Sequence, residues 1–252
     1  MFGLENQVKF TSKKSIMKTQ VNTFFSAKRS LILGLAVLLI SACSKDDDNS
    51  PIIPDQKARI AWFHAATGLD SLHISIDENT AKESPIGYGD STAYMEVLAG
   101  EHPLSIGTSD EETSLEDTLD FDENTSYSIF ILGGEQGEGL SLVRVEDDLR
   151  KPDEENAKIR LAHLSPDAGT LQINVSDTVL AAETGFSNVS DFEELEAGSH
   201  SISIVDSDSE ETIVELEDLE LEAGKIYTIW LSGQVDATDP EQALQALIFE
   251  NN

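Results

Sequence analysis

The sequence predicts an all-β chain: two tandem antiparallel β-sandwiches of immunoglobulin-like kind, set behind a chemically different N-terminal segment. Three observations predict it. Apolar and polar residues alternate with period two, and turn residues break the alternation about every eight to twelve positions. Residues 58–77, ARIAWFHAATGLDSLHISID, lie over 157–176, AKIRLAHLSPDAGTLQINVS, at a constant offset of 99, so His64 meets His163 and Leu72 meets Leu171. Neither copy carries a convincing helical period. Seven short strands with short connections are the pattern of a sandwich.

In the first copy the candidate strands are 58–65, 71–77, 91–98, 102–107, 114–121, 125–132 and 140–146. Residues two apart on a strand share a sheet face. Ile60, Trp62 and His64 therefore lie together, repeated by Ile159, Leu161 and His163, which makes Trp62 a core residue. In the sixth strand Tyr127, Ile129 and Ile131 match Tyr227, Ile229 and Leu231 as the inward face. Phe130 and Trp230 are left pointing outward at equivalent positions. An outward aromatic is a candidate contact for a sugar ring, a partner protein or the neighbouring copy. The copies span 57–147 and 156–252, each of ordinary domain size, with the charged stretch 148–155 as linker.

The chain has 252 residues with 48 acids against 16 bases, a formal net charge of −32. Such a surface repels nucleic-acid phosphate, and a nucleic-acid partner is excluded on that ground. The bases are unevenly spread. Residues 1–42 hold Lys9, Lys13, Lys14, Lys18, Lys28 and Arg29 against Glu5 alone, leaving ten bases and 47 acids for the remainder.

Lys28-Arg29, the apolar run Leu31–Ile40 and the small residues after it read as a secretory signal. The run is about half the length a membrane-spanning helix needs. The tetrad ISAC (residues 40–43) resembles a bacterial lipobox, in which the cysteine is lipidated through its sulfur and the signal is cut before it. Cys43 is the sole cysteine, and lipidation accounts for an otherwise unpaired thiol in an exported chain. The signal spans residues 1–42, with Met17 as the expected true start. Residues 43–56 form an acidic tether, Pro51 and Pro54 within it. SKDDD after Ala42-Cys43 resembles the acidic signal by which some Bacteroidetes send lipoproteins to the outer leaflet of the outer membrane. An anchored location facing the cell exterior is expected, with the periplasmic face as alternative.

HLSPDA (163–168), LEAGSHSISI (195–204) and LEAGKIYTIWLSG (221–233) together resemble the bacterial surface family called domain of unknown function 4397. The second copy matches the family pattern well, except that His200 stands where a tyrosine is usual. The first is more diverged: HAATGL replaces the H-x-S-P-D-A motif, and FDENTSYSI lacks the Ala-Gly turn before Tyr127. The resemblance implies an all-β fold and an exported, often membrane-tethered context. It supplies no activity.

Chemistry-bearing residues are sparse. Two histidine pairs recur, His64 with His163 and His102 with His200, but without H-x-H, HExxH or cysteine clusters they do not make a metal site. His64 and His163 are expected to hydrogen-bond the turns after their strands, and Asp167 to accept backbone N–H groups. The acidic turns TSDEET (108–113) and DSDSEET (206–212) lack the spacing of an EF-hand and read as solvated tips, with weak divalent-cation binding at most. No nucleophile elbow, P-loop or dinucleotide fingerprint is present, so neither enzymatic activity nor a cofactor is expected. The reading is a lipid-anchored envelope protein presenting two sandwiches for binding or spacing, its partner an unknown protein or glycan. The alternative is a carbohydrate-binding accessory lipoprotein that stacks sugar on Trp230 and Phe130.

Overall fold

The computed structural model describes residues 56–251 apart from 81–84, 111–113, 134–138 and 177. The leader, Cys43 and nearly all of the tether lie outside the described residues. The first repeat comprises β1 (Lys57–Ala65), β2 (Ser71–Ile76), β3 (Asn79–Thr80), β4 (Ile86–Gly87), β5 (Met95–Leu98), β6 (Gly100–Gly107), β7 (Ser114–Phe121), β8 (Ser126–Gly133) and β9 (Leu140–Glu146). The second comprises β10 (Asn156–His163), β11 (Leu171–Val175), β12 (Thr178–Thr184), β13 (Glu193–Glu196), β14 (Gly198–Asp206), β15 (Thr212–Leu221), β16 (Ile226–Ser232) and β17 (Gln245–Glu250). Among the described residues the only helical piece is a single 3-10 turn, Pro240–Gln242. The all-β expectation holds.

Each repeat is a sandwich of two sheets. Their strand orders are β5-β1-β8-β9 over β3-β2-β6-β7 in the first and β13-β10-β16-β17 over β12-β11-β14-β15 in the second. Two features define the sheet order, which the sequence left open. The consecutive strands β1 and β2 lie in different sheets, whereas an immunoglobulin sandwich keeps its first two strands together. And β1 pairs with β8 in parallel, as β10 does with β16. Alternation tells which face a residue takes and says nothing of a strand's neighbour, so the sequence could not distinguish these orders.

The predicted inward faces fill the two cores. Ile60, Trp62, Tyr127, Ile129 and Ile131 pack with Leu72, Ile74, Leu104 and Ile106 in the first. Ile159, Leu161, Tyr227, Ile229 and Leu231 pack with Leu171, Ile173, Ile202 and Ile204 in the second. Each core tyrosine is anchored at its polar end: the Tyr127 hydroxyl accepts from the Asp122 N–H, and Tyr227 from the Glu222 N–H, both at 3.1 Å. The turns before them explain the divergence in sequence. Gly224 turns with φ +79°, and Asn124, at the equivalent place, with φ +60°. Asparagine is among the few residues that tolerate this left-handed backbone, so the Ala-Gly turn is replaced without losing its shape. The Asn124 N–H bonds Lys57 O at 2.7 Å, and the Gly224 N–H bonds Asn156 O at 2.8 Å.

Both core histidines bond the turns after their strands. His64 Nδ1 accepts from the Ala66 N–H at 3.2 Å, and His163 Nε2 donates to Gly169 O at 3.0 Å. Burial pushes the His64 pKa down to about 4, and it lowers that of His163 as well. Unfolded, both rings titrate near their ordinary value of about 6.5. Between these values the unfolded chain binds more protons than the folded one, so stability is present at neutral pH and lost as pH falls through the window. The His64 contribution is about 3 kcal/mol at full extent. Urea midpoints should therefore drop steadily from about pH 7 to pH 4.5, and His64→Gln with His163→Gln should flatten that slope relative to its own neutral-pH value. An unchanged slope would remove these rings as its source.

Candidate functional site

The faces that point away from each sandwich core are also apolar, and they meet. Ala61, Phe63 and Ala65 of β1 and Phe130 and Leu132 of β8 pack against Ala162 of β10, Leu164 just beyond it and Trp230 of β16. The molecule thus has four sheet layers and a third core between its repeats. Phe63 is the hub, stacked on Phe130 at a centroid distance of 4.5 Å and edge-on to Trp230 and Phe249 at 5.9 and 4.9 Å. Phe130 and Trp230 do point outward from their own sandwiches, as periodicity requires. Neither reaches solvent: their exposures are 0% and 1%. This corrects their reading as ligand contacts and removes the sugar-stacking platform, because each ring is consumed by the seam.

A polar network closes one side of this seam. Arg160 on β10 and Asp147 after β9 form an ion pair at 2.7 Å, with side-chain exposures of 2% and 0%. Asp147 Oδ2 accepts from the Tyr94 hydroxyl at 2.6 Å and the Ser128 hydroxyl at 2.9 Å. Arg160 donates to Ser128 Oγ at 2.8 Å and, through Nε, to Thr228 Oγ1 at 2.9 Å. Thr228 donates in turn to Asn251 Oδ1, and Asn251 Nδ2 donates to the Tyr94 hydroxyl. The guanidinium lies 4.3 Å over the Phe192 ring. Burial pushes the Asp147 carboxyl up while Arg160 and the two hydroxyls pull it back. Burial, then the Asp147 charge, raises the Tyr94 phenol, which keeps it a proton donor. Sequence reasoning missed these residues, although Arg160 in the otherwise apolar stretch KIRLAH was a visible signal.

At one end of the seam a cavity of about 450 Å³ opens between the turns that follow β1 and β10. Thr67 and Gly68 contribute from HAATGL, Leu164, Pro166 and Asp167 from HLSPDA, and Phe186, Gln234 and Gln242 complete it. The corresponding turns of both repeats therefore converge on one mouth. Asp167 does accept backbone N–H groups, but those of Val235 and Asp236, at 3.0 and 3.4 Å, rather than of its own turn. It pins the loop that carries Gln234. Gly233, at φ +96°, lets that loop fold back; a Cβ there would sit 2.3 Å from Ala243 O. Gln242 reaches across to accept from the Gly68 N–H at 2.7 Å. The floor is apolar and the rim carries amide, hydroxyl and carboxylate groups, the composition of a recognition cleft.

The remaining sequence candidates have local roles. His102 bonds Asp77 Oδ2 at 2.6 Å and Leu98 O at 2.8 Å, and His200 bonds Glu196 O. Asp206 accepts from the N–H and hydroxyl of Ser209 and from the N–H of Asp208, which lowers its pKa and commits its carboxylate to its own turn. Among the described residues no three His, Cys, Asp or Glu side chains gather as a metal site would require. Segment 148–155 is pinned to the second repeat: Asp148 pairs with Arg150 and Lys158, and the Asp153 N–H bonds Glu194. Arg150 holds the Asp148 carboxyl below the usual carboxylate range.

The family described as domain of unknown function 4397 matches residues 58–174, which cover the first repeat and the opening strands of the second. No curated protein matches the chain. Two solved structures provisionally described as cell adhesion proteins are distantly similar. One, from Bacteroides uniformis, has 8% identity and a TM-score of 0.26 over 77% of this chain and 98% of its own. The other, from Bacteroides fragilis, has 9% identity and a TM-score of 0.17 over 74% and 85%. Likeness at this level carries no argument about fold or function here.

The network makes a sharp energetic prediction. Asp147→Asn leaves a buried guanidinium without its counter-charge and should cost about 3–5 kcal/mol. Combining it with Arg160→Met should recover most of the loss, since no charge then remains to desolvate. Urea unfolding of the two single variants and the double variant checks this; additive losses would mean that the pair is not coupled.

Proposed function

We propose that this is a lipid-anchored cell-surface protein that works by contact, presenting a double sandwich on an acidic stalk, without catalysing a reaction. The observation that carries the reading is geometric. The two repeats share a closed apolar core, so they act as one body, and the chain enters that body at β1 on the end opposite the cavity between the motif turns. In sequence Cys43 precedes β1, so an anchor there tethers the body through the end at which β1 begins and leaves the mouth at the other end free for contact. Its clustered apolar floor and amide rim suit a protein segment or a small polar ligand held by direct contact. The lipobox resemblance at Cys43 and the acidic SKDDD after it support anchorage in the outer membrane with the body facing outward. The sugar-stacking alternative loses its support with the burial of Trp230 and Phe130.

Metabolic labelling with a fatty-acid analogue should mark the wild-type protein and not Cys43→Ser; equal labelling would sink the anchor. External protease on intact cells should release the body, while a periplasmic control protein stays whole. Protection equal to that control would place the protein on the inner side.

A further inference from the structure

The few bases of the mature chain are not scattered. Of the ten lysines and arginines after Cys43, Lys57, Arg59, Arg150, Lys151, Lys158 and Lys225 all lie where β1, β10 and β16 begin. The turns around the opposite mouth, 66–70, 88–91, 165–170, 185–188, 206–212 and 233–244, contain neither lysine nor arginine. At the base, a cavity of about 480 Å³ is lined by Arg59, Lys151 and Lys225 together with Leu149, Gly224 and Asn251 among others, and no carboxylate lines it. In a chain with three acids for every base, a cavity walled by three cations and no acid is a specific arrangement. Ser126 Oγ accepts from Arg59 Nε at 3.1 Å, and the guanidinium lies 5.6 Å from the Tyr94 ring centroid, which fixes its plane. Among the described residues Arg59 and Lys151 form no ion pair, while Lys225 is shared with Glu250 at 2.5 Å.

The geometry points to an oxyanion site at the base of the seam, one that takes a phosphate group. A guanidinium offers paired N–H donors that match phosphate oxygens, and two ammonium groups add point charges that a three-oxygen face can engage together. Distant acids are screened beyond about 8 Å at physiological salt. The near ones are Glu250, which shares Lys225, and Glu146 and Asp148, which line a neighbouring cavity with Arg59, so an anion competes with them for the cations rather than meeting a cancelled charge. Two sources share the chemistry: free phosphate and the phosphate of a lipid headgroup. Position selects the headgroup. Only thirteen residues lie between Cys43 and Lys57, a reach of at most about 50 Å, so anchorage holds the base near the bilayer at an effective concentration that fills even a weak site. The choice of source rests on the anchorage proposed above; binding of phosphate does not.

The test uses the chain beginning at Cys43, whose single thiol can be coupled to a maleimide lipid in vesicles or left free. In solution, inorganic phosphate should protect Lys151 from amine acylation and shift the Arg59 side-chain resonances saturably, where chloride at equal ionic strength does not. Arg59→Gln with Lys151→Gln should weaken the remaining response at Lys225 about tenfold or more without moving the melting temperature, since both residues are exposed. No saturable response, or one unchanged in the double variant, overturns the site. Coupled to vesicles, the protein should show Lys151 protected on phosphatidylglycerol and not on phosphate-free galactolipid. Equal labelling on both vesicles, alongside a normal response to inorganic phosphate, overturns the headgroup as source and assigns free phosphate.

Discussion

The burial of one repeat's outer sheet face against the other's is the constraint on which the rest of this structure depends. A β-sheet with two apolar faces cannot stand at the surface of a soluble body, and β1, β8, β10 and β16 are apolar on both. One face of each closes a sandwich; the other has to find cover. The repeats supply it for each other, and four features follow from that. Phe130 and Trp230 become core, the linker is confined to the base, the motif turns of both copies meet at one mouth, and the two repeats pack as one body.

Much of this was legible in sequence. The internal repeat, the strand positions and the inward faces came from alternation and offset alone, and the histidines proved to hold the turns they were expected to hold. Two things were not legible for physical reasons. Sheet order was hidden because period two fixes a side chain's face and leaves its neighbours open. The fate of the outward aromatics was hidden because the sequence marks a face as apolar without saying what covers it. A signal existed: IAWFHA and YSIFIL run apolar without alternation, the pattern of a strand buried on both sides. Of the candidate site, the convergence of residues 67–68 with 164–167 needed the topology, since those turns are about a hundred positions apart.

Duplication explains why the turns converge, and divergence explains what they became. Related surfaces packed face to face bring equivalent positions to the same end of the seam, so a turn motif present in each copy is presented twice at one opening. The copies have since specialised. HLSPDA keeps Asp167, which secures the 233–244 loop over the mouth, while HAATGL leaves a backbone N–H at Gly68 for Gln242 to accept from. A wall made by one repeat alone would lack half of the rim.

The polar network shows the same divergence carried into the core, and it bears on which halves pair. Register places Ala61 opposite Ser128 and Arg160 opposite Thr228, and sets Tyr127 opposite Glu146 and Tyr227 opposite Glu250. Ala61 is therefore the counterpart of Arg160, and Asn251 of Asp147. The seam holds one ion pair where symmetry would allow two. Had a first repeat met another first repeat, Asp147 would be buried facing an alanine; two second repeats would bury Arg160 facing an amide. Either mispairing strands a desolvated charge, a cost of several kcal/mol, whereas the first-with-second pairing satisfies both. A duplicated sheet face is an invitation to join copies from different chains, and a single off-axis charge pair, wired to Tyr94, Ser128, Thr228 and Asn251, restricts that face to the repeat beside it.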